Sequence, residues 1–187
     1  FPMSQSDKNL QVRVSGLWNT THRISGDDGP VGTVRVRRNM WGMVVAGEYQ
    51  PEKGEQLSIR RDPGLLRSQF SLWTEAREWL GSSLRWSVRR REVSLSTGQK
   101  ALRLLPLPGW GRGWLLVAPR TGEMARIRLG LLGRAGTIEI KRRADLELVV
   151  FAWFLGFQIS WESLPPASAR ERLPSSSDRA PSKAAGA

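Results

Sequence analysis

The sequence has no cysteine and only one histidine among its 187 residues. The lack of cysteine excludes disulfide scaffolds, zinc sites built on thiolates and cysteine catalysis. The single histidine, His22, lies in an apparent strand, and we interpret it as an ordinary strand residue rather than as a base or a metal ligand. The only paired acidic residues that invite a metal, Asp27 and Asp28, lie in a "GDDG" segment that is typical of a hairpin turn. Serine and threonine have no credible His/Asp partner, so we expect no enzyme activity, no metal and no cofactor.

A hydrophobic run long enough to cross a bilayer is also missing. The most apolar stretch, "LELVVFAWFLGFQISW" at 146–161, contains only ten uninterrupted apolar residues, from Leu148 to Phe157. A transmembrane helix needs roughly 20 residues, and a run of about 10–14 is more often a buried helix. Asp145 is a helix-start signal and Pro165 a stop, so the sequence predicts a buried helix over about 145–162 and no transmembrane span.

Between residues 10 and 143 the dominant hydrophobic period is two, with turn residues between the runs. In "LQVRV" Val12 and Val14 face one way and Arg13 the other, and the same alternation recurs in "TVRVRR", "LSIRR", "SLRWSVRRR" and "GTIEIKRR". Hairpins are expected around Thr97-Gly98 and at 120–123. "LWNTTHRI", "WGMVVAGEY" and "LLRSQFSLW" are interpreted as further strands. About twelve short strands before one helix that is apolar on all sides predict a mainly β fold. We expect a closed antiparallel β-barrel around a central hydrophobic C-terminal helix.

Three further boundaries follow from local composition. The segment "TEAREWLGS" at 74–82 predicts a short helix, with Thr74 as N-cap, Arg77 at the N3 position and Gly81 at the end. Residues 1–9 are expected to be a flexible N-terminus before a barrel domain at 10–164. Residues 165–187 are rich in Pro, Ser and Ala with little to bury, so they are predicted to be a disordered tail.

The order of these motifs resembles the tubby C-terminal-like group, which includes LURP-one-related proteins and phospholipid scramblases. The resemblance is carried by "RTGEMARIRLG", then "GTIEIKRRADLELVVFAWFLGFQISWE", and by the earlier "HRISGDDGPVGTVRVRR" hairpin, and it covers about 20–160 in outline. It implies a many-stranded barrel with a hydrophobic helix through its centre, and binding of phosphoinositides through basic strand residues. The segment before the helix is acidic and linked to calcium in scramblases but mostly basic here, which puts calcium dependence in doubt.

The net charge of +12 is the strongest functional signal, because it favours anionic partners. The basic residues that could bind lipid headgroups or other anions are Arg35, Arg37, Arg38, Arg60, Arg61, Arg89, Arg90, Arg91, Lys141, Arg142 and Arg143. Several alternate with core-facing residues and should therefore project outward. A solvated barrel surface would show the same pattern.

Three functions remain open from the sequence. The first is a non-enzymatic binding module for acidic phospholipids, in a cytoplasmic and monomeric protein that associates with the membrane surface. The second is a nucleic-acid binder that uses arginine for phosphates and exposed tryptophan for base stacking. The third is a protein-interaction domain with a basic surface. We expect most of the nine tryptophans to be needed for the core, which weakens the second. Clustered arginine beside an exposed Trp or Leu would favour lipid.

Overall fold

The computed structural model describes residues 8–62, 69–84, 92–108, 112–142 and 144–162. It contains twelve β-strands followed by one α-helix. The strands are β1 Lys8–Ser15, β2 Thr20–Gly26, β3 Gly29–Arg38, β4 Val44–Pro51, β5 Leu57–Arg61, β6 Phe70–Thr74, β7 Trp79–Leu84, β8 Val93–Thr97, β9 Lys100–Pro106, β10 Gly113–Ala118, β11 Gly122–Leu129 and β12 Ala135–Ile140. The helix α1 spans Leu146–Glu162, as predicted from the start signal at Asp145.

Every strand is antiparallel to its neighbours in the chain, and the sheet closes where β1 pairs with β12. In that closing pair Leu10 lies opposite Ile138 and Val12 lies opposite Gly136. Among the strands that the structure describes, closure leaves none at an open edge with unpaired backbone donors and acceptors. The prediction of a closed antiparallel barrel is therefore confirmed.

The period-two pattern of the sequence is the alternation between the inside and the outside of this barrel. In β1, Leu10, Val12 and Val14 are buried, while Gln11 and Arg13 between them are exposed. Val34, Val36, Leu57, Ile59 and Ile138 are buried in the same way on other strands. The apolar residues of the strands thus line the lumen, where burial from water stabilises them.

The helix runs through the lumen. All residues from Leu148 to Ile159 are buried, so α1 has no exposed stripe over this length. It contacts opposite sides of the ring, because β4 and β10 are six places apart in the order of twelve strands. A Cβ atom on Gly47 of β4 would lie 2.9 Å from Phe154, and one on Gly156 would lie 2.6 Å from Trp114 of β10. The central position predicted for the helix is confirmed.

Glycine at these contacts lets the strands approach the large side chains of the helix. A Cβ atom on Gly136 of β12 would lie only 2.4 Å from Trp153 Cη2 and 2.6 Å from the Arg128 carbonyl oxygen. Trp153 itself is completely buried. The large side chains of the helix thus pack against glycines of the barrel wall, where no strand side chain occupies the space. No helix among the described residues combines the length and the apolarity that crossing a bilayer requires.

The helix predicted at 74–82 is wrong, because this segment is a β-hairpin between β6 and β7. Thr74 N donates to the Glu78 carbonyl oxygen (2.9 Å), and Glu78 N donates to Thr74 Oγ1 (3.0 Å). Arg77 has a φ of 65°, which a helix does not allow. A threonine side chain can satisfy backbone donors in a turn as well as at a helix start, so the same local signal fits both structures.

The two predicted hairpins are present, with turns at Gly98-Gln99 and at 119–121, and Asp27-Asp28 is the turn between β2 and β3. The first strand begins at Lys8, two residues before the predicted start of the barrel. The predicted disordered tail at 165–187 lies outside the described residues, as do the alternating positions 85–91.

In this up-and-down topology, successive connections between strands alternate between the two ends of the barrel. Odd-numbered strands all end at one end, which we call the upper end; its described connections include 16–19, 39–43 and 130–134. The lower end carries the turns at 27–28, 52–56, 75–78, 98–99 and 119–121, and the segment that leads from β12 into α1.

Candidate functional site

The basic residues predicted from the sequence fall into two groups that lie far apart. One group lies on two strands separated only by β4, and consists of Arg35, Arg37, Arg38, Arg60 and Arg61. The other group, Lys141 and Arg142, follows β12 at the lower end. The remaining candidates, Arg89, Arg90, Arg91 and Arg143, lie outside the described residues. The structure therefore does not unite the predicted residues in one site.

Arg35, Arg37 and Arg60 project from the outer surface of β3 and β5, as the alternation predicted. Arg37 and Arg60 flank the same residue of β4, Ala46, in the strand register. The Arg37 guanidinium forms an ion pair with the Glu48 carboxylate. The outer surface of β3 and β5 is therefore positively charged, and the Glu48 carboxylate partly neutralises this charge.

Arg38 and Arg61 are half-buried at the upper ends of their strands. Arg61 Nη1 donates to the Val44 carbonyl oxygen (3.2 Å), and its guanidinium lies 5.8 Å from the centre of the Phe70 ring. The backbone N–H of Arg38 donates to Asn19 Oδ1 (3.0 Å) in the connection between β1 and β2. These two arginines therefore help to build the upper end.

The upper end exposes large apolar side chains on three connections. They are Leu17, Trp18, Met40, Trp41, Met43, Leu131 and Leu132. Among the described residues, nine large apolar side chains are exposed, and seven of them lie here. Leu17, Met40, Trp41, Leu131 and Leu132 are each 82–86% exposed. A cluster of this kind marks an interaction surface, whereas single exposed apolar residues do not.

The three connections are neighbours around the barrel, because β12, β1, β2 and β3 are consecutive in the sheet. The loops at 16–19 and 39–43 approach closely, since a Cβ atom on Gly42 would lie 3.5 Å from Trp18. The loop at 130–134 meets β1 through a bond from Val14 N to the Arg134 carbonyl oxygen (2.8 Å). We call these three loops together the apolar end.

The loop at 39–43 has a defined conformation. The Asn39 side chain accepts hydrogen bonds from the backbone N–H groups of Trp41 and Met43, each at 3.0 Å. Gly42 has a φ of 79°, in the region that favours glycine. Gly42 N donates to the Asn39 carbonyl oxygen at 3.0 Å. Trp41 is thus held out toward solvent by a bonded turn.

Arginines outside the predicted set surround the apolar end. Arg112 and Arg134 are exposed, and Arg112 Nη1 donates to the Leu131 carbonyl oxygen (3.1 Å). Exposed Arg13 of β1 lies directly opposite exposed Arg23 of β2 in the strand register. Like charges placed opposite each other destabilise an antiparallel pair, so these two arginines add positive charge at some cost in stability.

The apolar end escaped the sequence interpretation because its residues were counted as strand residues. "LWNTTHRI" and "WGMVVAGEY" were expected to be strands, yet β2 begins at Thr20 and β4 at Val44. The expectation that most tryptophans serve the core is also wrong for the six whose side chains are described. Only Trp114 and Trp153 are buried; Trp73 is half-buried, and Trp18, Trp41 and Trp79 are exposed. The signal in the sequence was apolar pairs beside turn glycines, as in Gly130-Leu131-Leu132.

His22 is a completely buried residue of β2 that bonds the barrel wall to the helix. Trp153 Nε1 donates to His22 Nδ1 at 2.9 Å, so Nδ1 carries no proton. His22 Nε2 then holds the proton and donates to Thr20 Oγ1, also at 2.9 Å. Burial, and the nearby charge of Arg38, lower the pKa of His22 to about 3. The arrangement stabilises the fold and leaves no ring nitrogen for a ligand.

No protein-family model, curated protein or solved structure matches this chain. The resemblance to tubby-like domains therefore stays a prediction.

Proposed function

We propose that this protein is a non-enzymatic module that binds the surface of anionic membranes through its apolar end. The observation that carries the proposal is the clustering of exposed Trp, Leu and Met side chains on three adjacent loops with arginines beside them. Clustered arginine next to exposed Trp or Leu favours lipid over the other anionic partners. The leaflet facing the cytoplasm carries the anionic lipids, so we propose a cytoplasmic protein that associates reversibly with that surface.

The energetics support insertion of these loops. Burying one Leu or Met side chain away from water contributes about 1.5–3 kcal/mol. Leu17, Met40, Leu131 and Leu132 together would therefore contribute at least about 6 kcal/mol if all four enter the acyl region. Each arginine near an anionic surface adds about 1 kcal/mol. Tryptophan prefers the boundary between headgroups and acyl chains, which suits Trp18 and Trp41.

The aliphatic residues favour lipid over nucleic acid. Aromatic side chains can stack on bases, but leucine and methionine gain little from a phosphate backbone in water. At the apolar end, Leu17, Met40, Leu131 and Leu132 are the most exposed apolar residues together with Trp41. A hydrocarbon layer accepts all five side chains.

Vesicle flotation tests the proposal. Wild-type protein should float with phosphatidylcholine vesicles containing phosphatidylserine at low salt, and much less with pure phosphatidylcholine. A variant with Trp41→Ser, Leu131→Ser and Leu132→Ser should lose at least about a hundredfold in affinity, because the two leucines alone contribute about 3 kcal/mol or more. It should keep the wild-type melting temperature, because all three side chains are exposed.

Trp79 provides the matched control, since it is an exposed tryptophan at the lower end of the barrel. Trp79→Ser should leave flotation unchanged. Failure of the wild type to bind any anionic vesicle at low salt would refute the proposal. So would equal flotation of the triple variant. Tight binding of single-stranded RNA that depends on Trp41, without vesicle binding, would instead support the nucleic-acid alternative.

A further inference from the structure

A cavity of about 910 Å³ opens at the lower end of the barrel, away from the apolar end. Four basic residues line it, namely Lys100, Arg120, Lys141 and Arg142, and its described lining contains no acidic residue. Two of these, Lys141 and Arg142, were predicted as anion-binding from the sequence. Lys100 and Arg120 were not.

The four cations come from three separate parts of the chain. Lys100 follows the turn between β8 and β9, where Lys100 N donates to Thr97 Oγ1 (3.2 Å). Arg120 lies in the turn between β10 and β11. Lys141 N and Arg142 N both donate to the Met124 carbonyl oxygen, at 2.8 and 3.4 Å. Backbone N–H groups therefore hold the segments of Lys100 and of Lys141 and Arg142, and the pairing of Ala118 with Gly122 closes the turn that carries Arg120.

Neighbouring carboxylates leave most of this positive charge in place. Glu123 forms a two-pronged bond with Arg126, with distances of 2.9 and 3.1 Å. Glu139 lies 3.3 Å from Lys141 Nζ, so Lys141 is partly neutralised. Asp145 and Glu147 line a different cavity, which shares Lys100. Arg120 and Arg142 are both exposed.

Apart from Gln99 and Thr121, the rest of the lining is apolar. Ala101, Leu102, Ala118, Pro119 and Met124 supply this part of the surface. A cavity of a few hundred to about 1,000 Å³ with an apolar wall and a few convergent polar groups is typical of a small-molecule site. Cations and apolar surface within one cavity suit an organic molecule that carries phosphate groups.

We propose that the lower cavity binds a phosphorylated small organic anion. This site does not depend on the proposed membrane function. The helix between the two ends has 17 residues, so the cavity and the apolar end lie roughly 25 Å apart. When the apolar end faces a membrane, the cavity points away from it. The phosphate groups can therefore come from a compound in solution, or from a lipid headgroup of another surface.

Isothermal titration calorimetry of the full chain tests the proposal, with tripolyphosphate and ATP as probes. We expect one ion per chain to bind, and ATP to bind at least about threefold more tightly, because its nucleoside can cover the apolar wall. Equal affinities for ATP and tripolyphosphate would refute the prediction that the ligand has an organic part. The salt concentration is set at 50 mM, about a third of physiological ionic strength. If neither probe shows saturable binding under this condition, the proposed site is refuted.

A pair of variants with equal loss of charge separates this site from general attraction to a basic protein. Arg120→Gln with Arg142→Gln should weaken binding of both probes at least tenfold. Arg13→Gln with Arg23→Gln, on the outer face of β1 and β2, should weaken it less than twofold. Equal weakening by both pairs would refute a localised site.

The source of the phosphate groups is tested with vesicles containing phosphatidylinositol 4,5-bisphosphate. The protein used carries Trp41→Ser, Leu131→Ser and Leu132→Ser, so that insertion of the apolar end is weakened. Vesicle binding that is lost with Arg120→Gln and Arg142→Gln would assign a lipid headgroup to the cavity. Binding of ATP without vesicle binding would assign a soluble ligand.

Discussion

Replacing His22 by asparagine isolates the contribution of one buried imidazole to stability against acid. His22 is neutral in the folded protein, because it accepts a hydrogen bond from Trp153 Nε1 and donates one to Thr20 Oγ1. A proton on Nδ1 would break the bond from Trp153 and place a charge in the core. Asparagine can still accept from Trp153 through Oδ1, but it does not titrate.

The expected pH dependence follows from the pKa of His22 in the two states. Burial lowers the pKa from 6.5 to about 3 on folding. The unfolded chain therefore takes up a proton as the pH falls below 6.5, while the folded protein does so only near pH 3. The stabilisation is complete above pH 6.5 and is lost progressively between pH 6.5 and about 3. Between pH 7.5 and 4.5 this group alone should lower the free energy of unfolding by about 2.5 kcal/mol.

Urea unfolding at pH 7.5 and at pH 4.5, followed by tryptophan fluorescence, measures this loss. Carboxylates titrate in the wild type and in His22→Asn alike, so the difference between the two losses reports on His22. The wild type should lose about 2.5 kcal/mol more than the variant over this range. Equal losses, within about 0.5 kcal/mol, would refute the buried neutral histidine. Because His22 is the only histidine, its ring protons also provide a single NMR signal, and this signal should not titrate above pH 4.5 in the folded protein.

Two further predictions concern the central helix. Gly156→Ala should raise helix propensity by about 1 kcal/mol, but its Cβ would lie 2.6 Å from Trp114, and overpacking of this kind costs about 1–3 kcal/mol. We therefore expect a net loss of stability and a lower melting temperature. As a control, Gly98→Ala should melt like the wild type, because its Cβ would lie 3.6 Å from Trp79. A higher melting temperature for Gly156→Ala would contradict this packing. A chain truncated before Asp145 should lack near-UV circular dichroism and a cooperative melting transition, and a folded barrel without residues 146–162 would contradict a helical core.

The barrel and its helix could be predicted because each depends on patterns that are short in sequence. Alternation such as Leu10-Gln11-Val12-Arg13 identifies a strand with one buried face without knowledge of its partner. Ten apolar residues between polar ones identify a helix buried on all sides. Few arrangements bury both the apolar faces of twelve strands and the whole surface of such a helix, and a closed barrel around the helix is one of them.

The hairpin at 74–82 could not be predicted, because its signals are local and ambiguous. Thr74 and Gly81 fit the two ends of a short helix. The structure instead uses Thr74 to bond a turn, and Gly81 lies in β7 opposite Leu72. Pairing across the sheet decided between the two, and one sequence does not reveal that pairing.

The apolar end, and two of the four cations of the lower cavity, could not be predicted for a different reason. Leu17 and Trp18 look like the start of a strand, since an apolar pair beside a turn fits either a strand end or an exposed loop. Lys100 and Arg120 are 20 positions apart, with no shared motif. They border one cavity only because β9, β10 and β11 pair in a fixed register.

The position of the helix after all twelve strands has a consequence for synthesis of the chain on the ribosome. The inward faces of the strands are buried by a helix that is synthesised last. At about 5–20 residues per second, the first strand is exposed for on the order of ten seconds before residues 146–162 exist. During that time the emerging chain can form hairpins, because each strand pairs with the next. It cannot yet bury their apolar faces, so we expect the nascent protein to depend on chaperones that cover them.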